Sequence, residues 1–342
     1  MNDVHQLRGA FGQVDLQPEG GMIGPAVFDV PGVGRIEPLT CPDWRNRDGA
    51  EELLPLIRNL CGDFVCAPYG APEASGDLPS DWLKGADANI EEDRWFHGYP
   101  ANSLWEINGD NEGGDAATHA TMSCRPAAPH PFDEICRTIS LLPDGPGYAV
   151  ELSIKARHDV NFPFSLHPCF SLPEKPGSLR LEIPRAGEGW TYPLPVVPEH
   201  APIAPNRRFD SLRAVPRVEG GFCDLTRLPP SERSEILLQV PAPGGLVRLI
   251  YEQAGYAVRF TYDAQLAPCI VIWVSNRGRD EFPFDGQFRT LGIEAVAGAF
   301  DLGPAVSASA MNPIAREGVA TCISLTAGQQ LTTRSKIALE AL

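Results

Sequence analysis

The chain has 342 residues, with 44 acidic against 28 basic side chains and a formal charge of -16. Clustered lysine and arginine neutralise nucleic-acid phosphates and hold anionic membranes, so this balance argues against both kinds of partner. Apolar residues make up 43%, which excludes a disordered chain, and 34 prolines and 33 glycines between short apolar runs favour many strands and turns over a helical bundle.

Taken in chain order, the N-terminal MNDVHQLRGAFGQVDLQPEGG has no long apolar core, so no signal peptide is expected. No stretch approaches about 18 consecutive apolar residues, so no membrane span is expected either. A cytoplasmic chain follows from these two readings. EELLPLIRNL places Leu53, Leu56, Ile57 and Leu60 at helical spacing and predicts a helix from Glu51 to Leu60, with Pro55 near its first turn. Pro68 to Lys84 reads as a long loop. YAVELSIKA alternates Tyr148, Val150, Leu152 and Ile154 with Ala149, Glu151, Ser153 and Lys155, which is a half-buried strand. SLRLEIP repeats the pattern, and Pro193 to Pro205 reads as a second long loop. SERSEILLQ predicts a short helix from Ser231. YAVRFTYD is another alternating strand, CIVIWVS is apolar on both faces and reads as a central strand, and LTTRSKIAL closes the chain as a strand. The nine cysteines show neither a redox nor a zinc spacing, Cys61 and Cys66 included, so free buried thiols and no metal are expected. The pattern predicts one all-β domain over residues 1–342, a large antiparallel sandwich with few short helices.

Six residues are candidates to carry chemistry, each with a structural alternative. In FPFSLHP, Phe164 and Leu166 face one way and Ser165 and His167 the other, with Pro168 ending or edging the strand. His167 then projects into a cleft, or sits hydrogen-bonded in a loop corner. Glu294 is the sole charge in GIEAVAGAF. A buried carboxylate is costly, so it either pairs with a cation such as Arg289 or serves as a base of raised pKa. His97 precedes Gly98, which allows close approach of backbone or ligand. Trp105 follows as an aromatic wall for a sugar ring or as plain core. Arg58 offers forked donors to an oxygen-rich ligand or lies at the surface. Asp263 accepts from ligand hydroxyls or caps a turn.

Six segments in order, spanning about residues 10 to 340, resemble the galactose mutarotase-like superfamily of aldose 1-epimerases, nearer its hexose-6-phosphate epimerase branch. LIRNLCGDFVCAPYG is similar to the arginine-bearing segment, HGYPANSLWEI to the His-Gly segment and NFPFSLHPCFSLP to the His-Pro segment. TYDAQLAPCIVIW, LGIEAV and TAGQQL match the Asp-bearing strand, the Ile-Glu-Pro segment and the closing turn. Ala295 stands where the family usually has proline, Cys169 where it has an aromatic residue, and Ala327 and Gln329 alter the closing turn.

The resemblance implies an isomerase that interconverts the α and β anomers of a hexose or hexose phosphate without a cofactor. Glu294 would take the anomeric proton and His167 would protonate the ring oxygen. His97, Arg58 and Asp263 would bind hydroxyls. A non-catalytic carbohydrate-binding protein of the same fold is the alternative, and a metal enzyme built on two histidines and a glutamate lacks an anchoring His-x-His or His-x-Asp pair. For a phosphorylated sugar, Arg58, Arg94, Arg207 and Arg208 are the candidate rim cations. Surface strand edges leave room for a homodimer.

Overall fold

The structure is a computed structural model and describes residues 4–86, 93–109 and 117–342. Period-two alternation builds one of its two large sheets. In Gly147–Ala156 the four apolar residues of the alternation are buried, while Glu151 and Lys155 face solvent. Leu179–Glu182, Tyr256–Tyr262 and Gln330–Ala341 join it in a nine-stranded sheet. Cys269–Asn276 lies inside an eleven-stranded sheet, between Ser234–Pro241 and Arg289–Ala297, and is covered on both faces. The ladders in both sheets are antiparallel.

The sheets pack face to face. Phe170 of the eleven-stranded sheet meets Phe260 of the other at 6.4 Å between ring centroids, and Phe132, Phe162, Phe164, Ile270 and Ile272 fill the space between them. Each such side chain removed from water stabilises the sandwich by about 1.5–3 kcal/mol. One buried charge crosses this layer. Arg137, 1% exposed, donates to the carbonyl oxygens of Gly21 (2.7 Å) and Asp63 (3.2 Å) and pairs with the Asp63 carboxylate at 3.1 Å.

A second apolar cluster lies on the other face of the eleven-stranded sheet. Phe64, Cys169, Leu237, Val271 and Val296 supply its floor, and Trp44, Phe284 and Phe300 from loops and Trp82 from a short helix cover it. The cleft that holds the candidate site opens in this second layer.

Several expectations need correction. The helix expected from Glu51 to Leu60 is split into a 3-10 turn, Ala50–Glu52, and a short helix, Pro55–Asn59. Proline disfavours helical backbone in the residue before it, and Leu54 is accordingly extended, at ψ 141°. The helix expected at Ser231 is instead the strand Ser234–Pro241, buried on both faces, so its short apolar run carried no period to read. Pro168 does not end its strand: Phe164–Phe170 continues past it in mid-sheet, between Asp63–Cys66 and Arg289–Ala297. The thiols are not all free. Cys41 and Cys61 form a disulfide over a strand in which Gly24 leaves them room, since a Cβ there would lie 2.8 and 3.0 Å from the two sulfurs. The other seven are unpaired. The two expected loops are irregular apart from the short helix Ser80–Leu83 and the 3-10 turn Pro198–His200. Among the described residues no helix is long and apolar enough to cross a membrane.

Candidate active site

Register alone brings the two central residues together. The strands Phe164–Phe170 and Arg289–Ala297 pair Leu166 with Ala295 and Cys169 with Gly292. Continuing that register sets His167 opposite Glu294, on the face turned away from the sandwich core. The regular ladder is interrupted there, beside Pro168, which has no N–H to donate. His167 Nε2 lies 3.3 Å from Glu294 Oε1, with both side chains at most 4% exposed. Phe64 on the neighbouring strand stacks on the imidazole at 4.3 Å, and the Cys169 sulfur lies 3.6 Å from its Nδ1.

Burial sets the electrostatics of this pair. Desolvation pushes the Glu294 carboxyl up to about 8, although the Tyr69 hydroxyl, donating to Oε2 at 2.5 Å, pulls the other way. Desolvation pushes His167 down to about 3. Each group resists carrying charge alone, so the pair holds one proton between its members and stays net neutral. Cys169, though close to His167, is fully buried and its thiol pKa is raised well above the ordinary value by desolvation, so it is no nucleophile.

His97 approaches from the loop that leads into the helix Gly98–Asn102. Its backbone is left-handed, at φ 63°, a costly conformation for a non-glycine residue. The surroundings enforce it. His97 donates its backbone N–H to Gly70 O (2.8 Å), and the Gly70 N–H returns a bond to His97 Nδ1 (3.2 Å). An Nδ1 that accepts leaves the proton of the neutral ring on Nε2, so this ring is a donor there. Tyr69 stacks on it at 5.0 Å and Phe96 packs at 3.9 Å. Gly98 serves backbone approach: a Cβ there would lie 2.6 Å from Ala67 C and O. Asp93, buried, anchors the loop by accepting from the Trp95 and Tyr99 backbone N–H groups and from His130 Nε2 at 3.1 Å.

His97, His167 and Glu294, with Phe64 and Phe96, line one cavity of about 370 Å³, within the usual range of small-molecule sites. Tyr69, Tyr192, Trp273, Arg279 and Asp301 also line it, and none of them was assigned a role from sequence. Trp273 is the aromatic wall. Its indole N–H donates to Glu235 Oε1 at 2.7 Å, and the ring meets His167 edge-on at 6.2 Å. Two residues before Glu294 on the same face, Gly292 keeps the floor open, since a Cβ there would stand 3.1 Å from both Glu294 Oε1 and Trp273 Cβ. Asp301 Oδ1 is buried without a hydrogen-bond partner at the cavity wall. A glycine two places before the lone carboxylate, and a second carboxylate closing the same apolar run, were the available sequence signals.

Of the six residues singled out from sequence, the fold gathers His97, His167 and Glu294 and leaves three outside. Trp105 is 2% exposed in the inter-sheet core, bonded to Pro100 O, so it forms no sugar-facing wall. Asp263 ends a strand of the opposite sheet and accepts from the Gln265 N–H at 2.9 Å, which makes it a turn cap. Arg58 lies on the helix Pro55–Asn59, which turns Leu56 and Ile57 to the cavity and not the guanidinium. Glu294 is paired within the cleft and not with Arg289, which reaches Glu174 instead. Among the described residues no group of three or more His, Cys, Asp or Glu side chains is arranged to hold a metal ion.

The architecture is that of the galactose mutarotase-like proteins. The chain superposes over its whole length on the Slr1438 protein of Synechocystis sp. PCC 6803 (TM-score 0.66, 15% identity, 100% of this chain and 97% of that one). It superposes equally fully on a GalM/aldose epimerase homologue from C. elegans (0.63, 12%, 99% and 99%) and on a galactose mutarotase-like protein from Lactobacillus casei ATCC 334 (0.60, 14%, 99% and 100%). No protein-family model and no curated protein matches the sequence.

Proposed function

We propose that this chain is an aldose 1-epimerase, a single sandwich domain that interconverts sugar anomers in the cleft of His167 and Glu294. The observation that carries the reading is their apposition at 3.3 Å, buried, on the floor of a cavity of about 370 Å³. The anomeric hydroxyl and the ring oxygen are bonded to the same carbon, so an acid and a base that serve them must be neighbours.

With Glu294 ionised and His167 protonated, the carboxylate takes the proton of the anomeric hydroxyl. The imidazolium gives its proton to the ring oxygen as the C1–O5 bond breaks and the C1–O1 bond becomes a carbonyl. Rotation about C1–C2 presents the other face of the aldehyde, and the same two transfers in reverse close the ring. No proton is gained or lost over the cycle. The Tyr69 hydroxyl orients the carboxylate, and His97 Nε2–H is a donor available to a substrate oxygen. Each positioned acid or base contributes about 10²–10⁴-fold, enough for a reaction that already proceeds in water.

Exchange NMR or polarimetry on a panel of aldoses tests this. Losses of about a hundredfold or more in His167→Ala and Glu294→Ala are expected. Rates unchanged in both variants would refute the assignment, and tight sugar binding without turnover in the wild type would mark a non-catalytic sugar-binding protein.

A further inference from the structure

The cavity discriminates by charge and by polarity. Among the described residues that line it, Arg279 is the sole lysine or arginine. Its charge is already committed: Nε donates to Glu235 Oε1 at 2.8 Å, Nη1 lies 3.6 Å from Glu281, and the guanidinium sits over the Phe284 ring at 5.3 Å. Glu235 is 1% exposed, so that pairing is screened little by water. Arg58, Arg94, Arg207 and Arg208 do not line the cavity, and Arg208 is held by Glu188 and Glu317. Residues 1–3, 87–92 and 110–116 include no lysine or arginine that could supply another side-chain cation. Against this stand two carboxyl groups, Glu294 and Asp301, the latter with a bare buried oxygen.

A phosphate monoester brings close to two negative charges that need forked, charge-assisted donors once out of water. Within the cavity lining it would meet no free cation, and its desolvation would be left without a charged partner there. Tyr69 and His97 stand beside the His167–Glu294 pair, Tyr69 bonded to Glu294 and the His97 ring 5.3 Å from that of His167. Leu56, Ile57, Leu60, Leu194, Val196 and Leu237, from a helix, a loop and the sheet, give the remaining wall an apolar surface.

We infer that the site takes uncharged aldopyranoses and favours those with an apolar substituent, a 6-deoxy sugar over its hydroxymethyl parent, and excludes sugar phosphates. This rests on the epimerase reading above and narrows its substrate class. An apolar wall gains from a methyl group and leaves an added hydroxyl without a partner, a difference of about tenfold to a hundredfold.

The test compares 6-deoxy-D-glucose, D-glucose and D-glucose 6-phosphate by exchange NMR, with binding followed in parallel by quenching of tryptophan fluorescence. The expected order in kcat/KM is 6-deoxyglucose above glucose by about tenfold, and glucose above its phosphate by a hundredfold or more. Glu235→Gln keeps the side-chain shape but frees the Arg279 charge, and is expected to narrow the gap between glucose and its phosphate at least tenfold. Turnover of the phosphate equal to or faster than glucose overturns the inference, as does an unchanged gap in Glu235→Gln. Binding in the stated order without turnover supports the inference and removes the epimerase. Failure of all three sugars to bind removes both.

Discussion

His167 and Glu294 are cross-strand neighbours whose proximity is fixed by sheet register rather than by a loop. The imidazole Nε2 and the carboxylate Oε1 stand 3.3 Å apart on the floor of the cleft. Backbone pairing on either side of them, Leu166 with Ala295 and Cys169 with Gly292, leaves little freedom to separate the two groups. Two buried ionisable groups held this close titrate as a coupled pair.

The rate profile should show that coupling. The productive form carries one proton in total, on His167 with Glu294 ionised. It fails when the last proton leaves, near pH 8, because no acid then remains for the ring oxygen, and when a second arrives, because no base remains. After subtraction of the spontaneous reaction, kcat/KM is therefore expected to fall above about pH 8 and to hold on the acid side well below the ordinary histidine value of 6.5. Glu294→Gln is expected to remove the alkaline limb along with about 10²–10⁴-fold of the rate. A profile with no decline by pH 10, or with its acid limb at 6.5, contradicts a shared proton.

The same shifts act on folding. The Glu294 pKa is raised on folding, so its contribution to stability is full below the unfolded value of 4.5 and is lost as pH rises through about 8. That of His167 is depressed, so its contribution is present above 6.5 and is lost as pH falls through about 3. Denaturant titrations at fixed pH should show wild-type stability declining from pH 5 to 8 relative to Glu294→Gln, in which this slope is absent. Parallel curves for the two proteins would place the carboxyl pKa near its ordinary value.

Tyr69 separates orientation from proton transfer. Its hydroxyl donates to Glu294 Oε2 and lowers a carboxyl pKa that burial raises. In Tyr69→Phe the pKa loses that restraint, so the alkaline limb of kcat/KM should move to higher pH. The plateau rate should drop about tenfold, the scale of a lost hydrogen bond to a charged group. The aromatic ring and its stack on His97 are retained. A limb that stays in place would mean that the hydroxyl bond does not hold in solution.

What the sequence disclosed, and what it withheld, follows from the range of each signal. Alternation is local, so strands such as Gly147–Ala156 were readable. Glu294 was readable because one charge in an apolar strand has few explanations. His167 was readable by its side of a short alternating run. Trp105 and Trp273 are equivalent by residue type. Only the packing of Trp105 between the sheets, and of Trp273 beside Glu235, tells core from cleft. Asp263 was misplaced because a strand end does not state which sheet it belongs to, and Arg58 because a helix of five residues shows too little period to fix which side faces the ligand. The bond between Cys41 and Cys61 depends on a glycine in a third segment and has no spacing to reveal it.

Gly292 tests the openness of the cleft floor. The β-carbon of alanine would stand 3.1 Å from Glu294 Oε1 and from Trp273, closer than ordinary van der Waals contact. The neighbours must yield into the substrate's space. Gly292→Ala is therefore expected to lower kcat/KM at least about tenfold, in keeping with the sensitivity of catalysis to small displacements of reacting groups. The strand conformation suits alanine, so the melting temperature should change little. Wild-type activity in this variant would show that substrate does not approach Glu294 from the side of Trp273.

Arg137 tests the link from core to site. Its guanidinium crosses from the nine-stranded sheet to the Asp63 carboxylate, which also accepts from the Tyr148 hydroxyl at 3.3 Å. Burial raises the Asp63 pKa, and the positive charge of Arg137 opposes that rise. Removing the arginine strands a carboxylate in the core, which costs about 3–5 kcal/mol. Asp63 sits opposite Pro168, next to His167, and Phe64, its chain neighbour, stacks on the imidazole. Arg137→Met should therefore lower the denaturation midpoint sharply and reduce activity with it. The double variant Arg137→Met with Asp63→Asn removes the stranded charge and should recover part of the stability. Equal instability of single and double variants would mean that the cost comes from lost packing and carbonyl bonds rather than from an unpaired carboxylate.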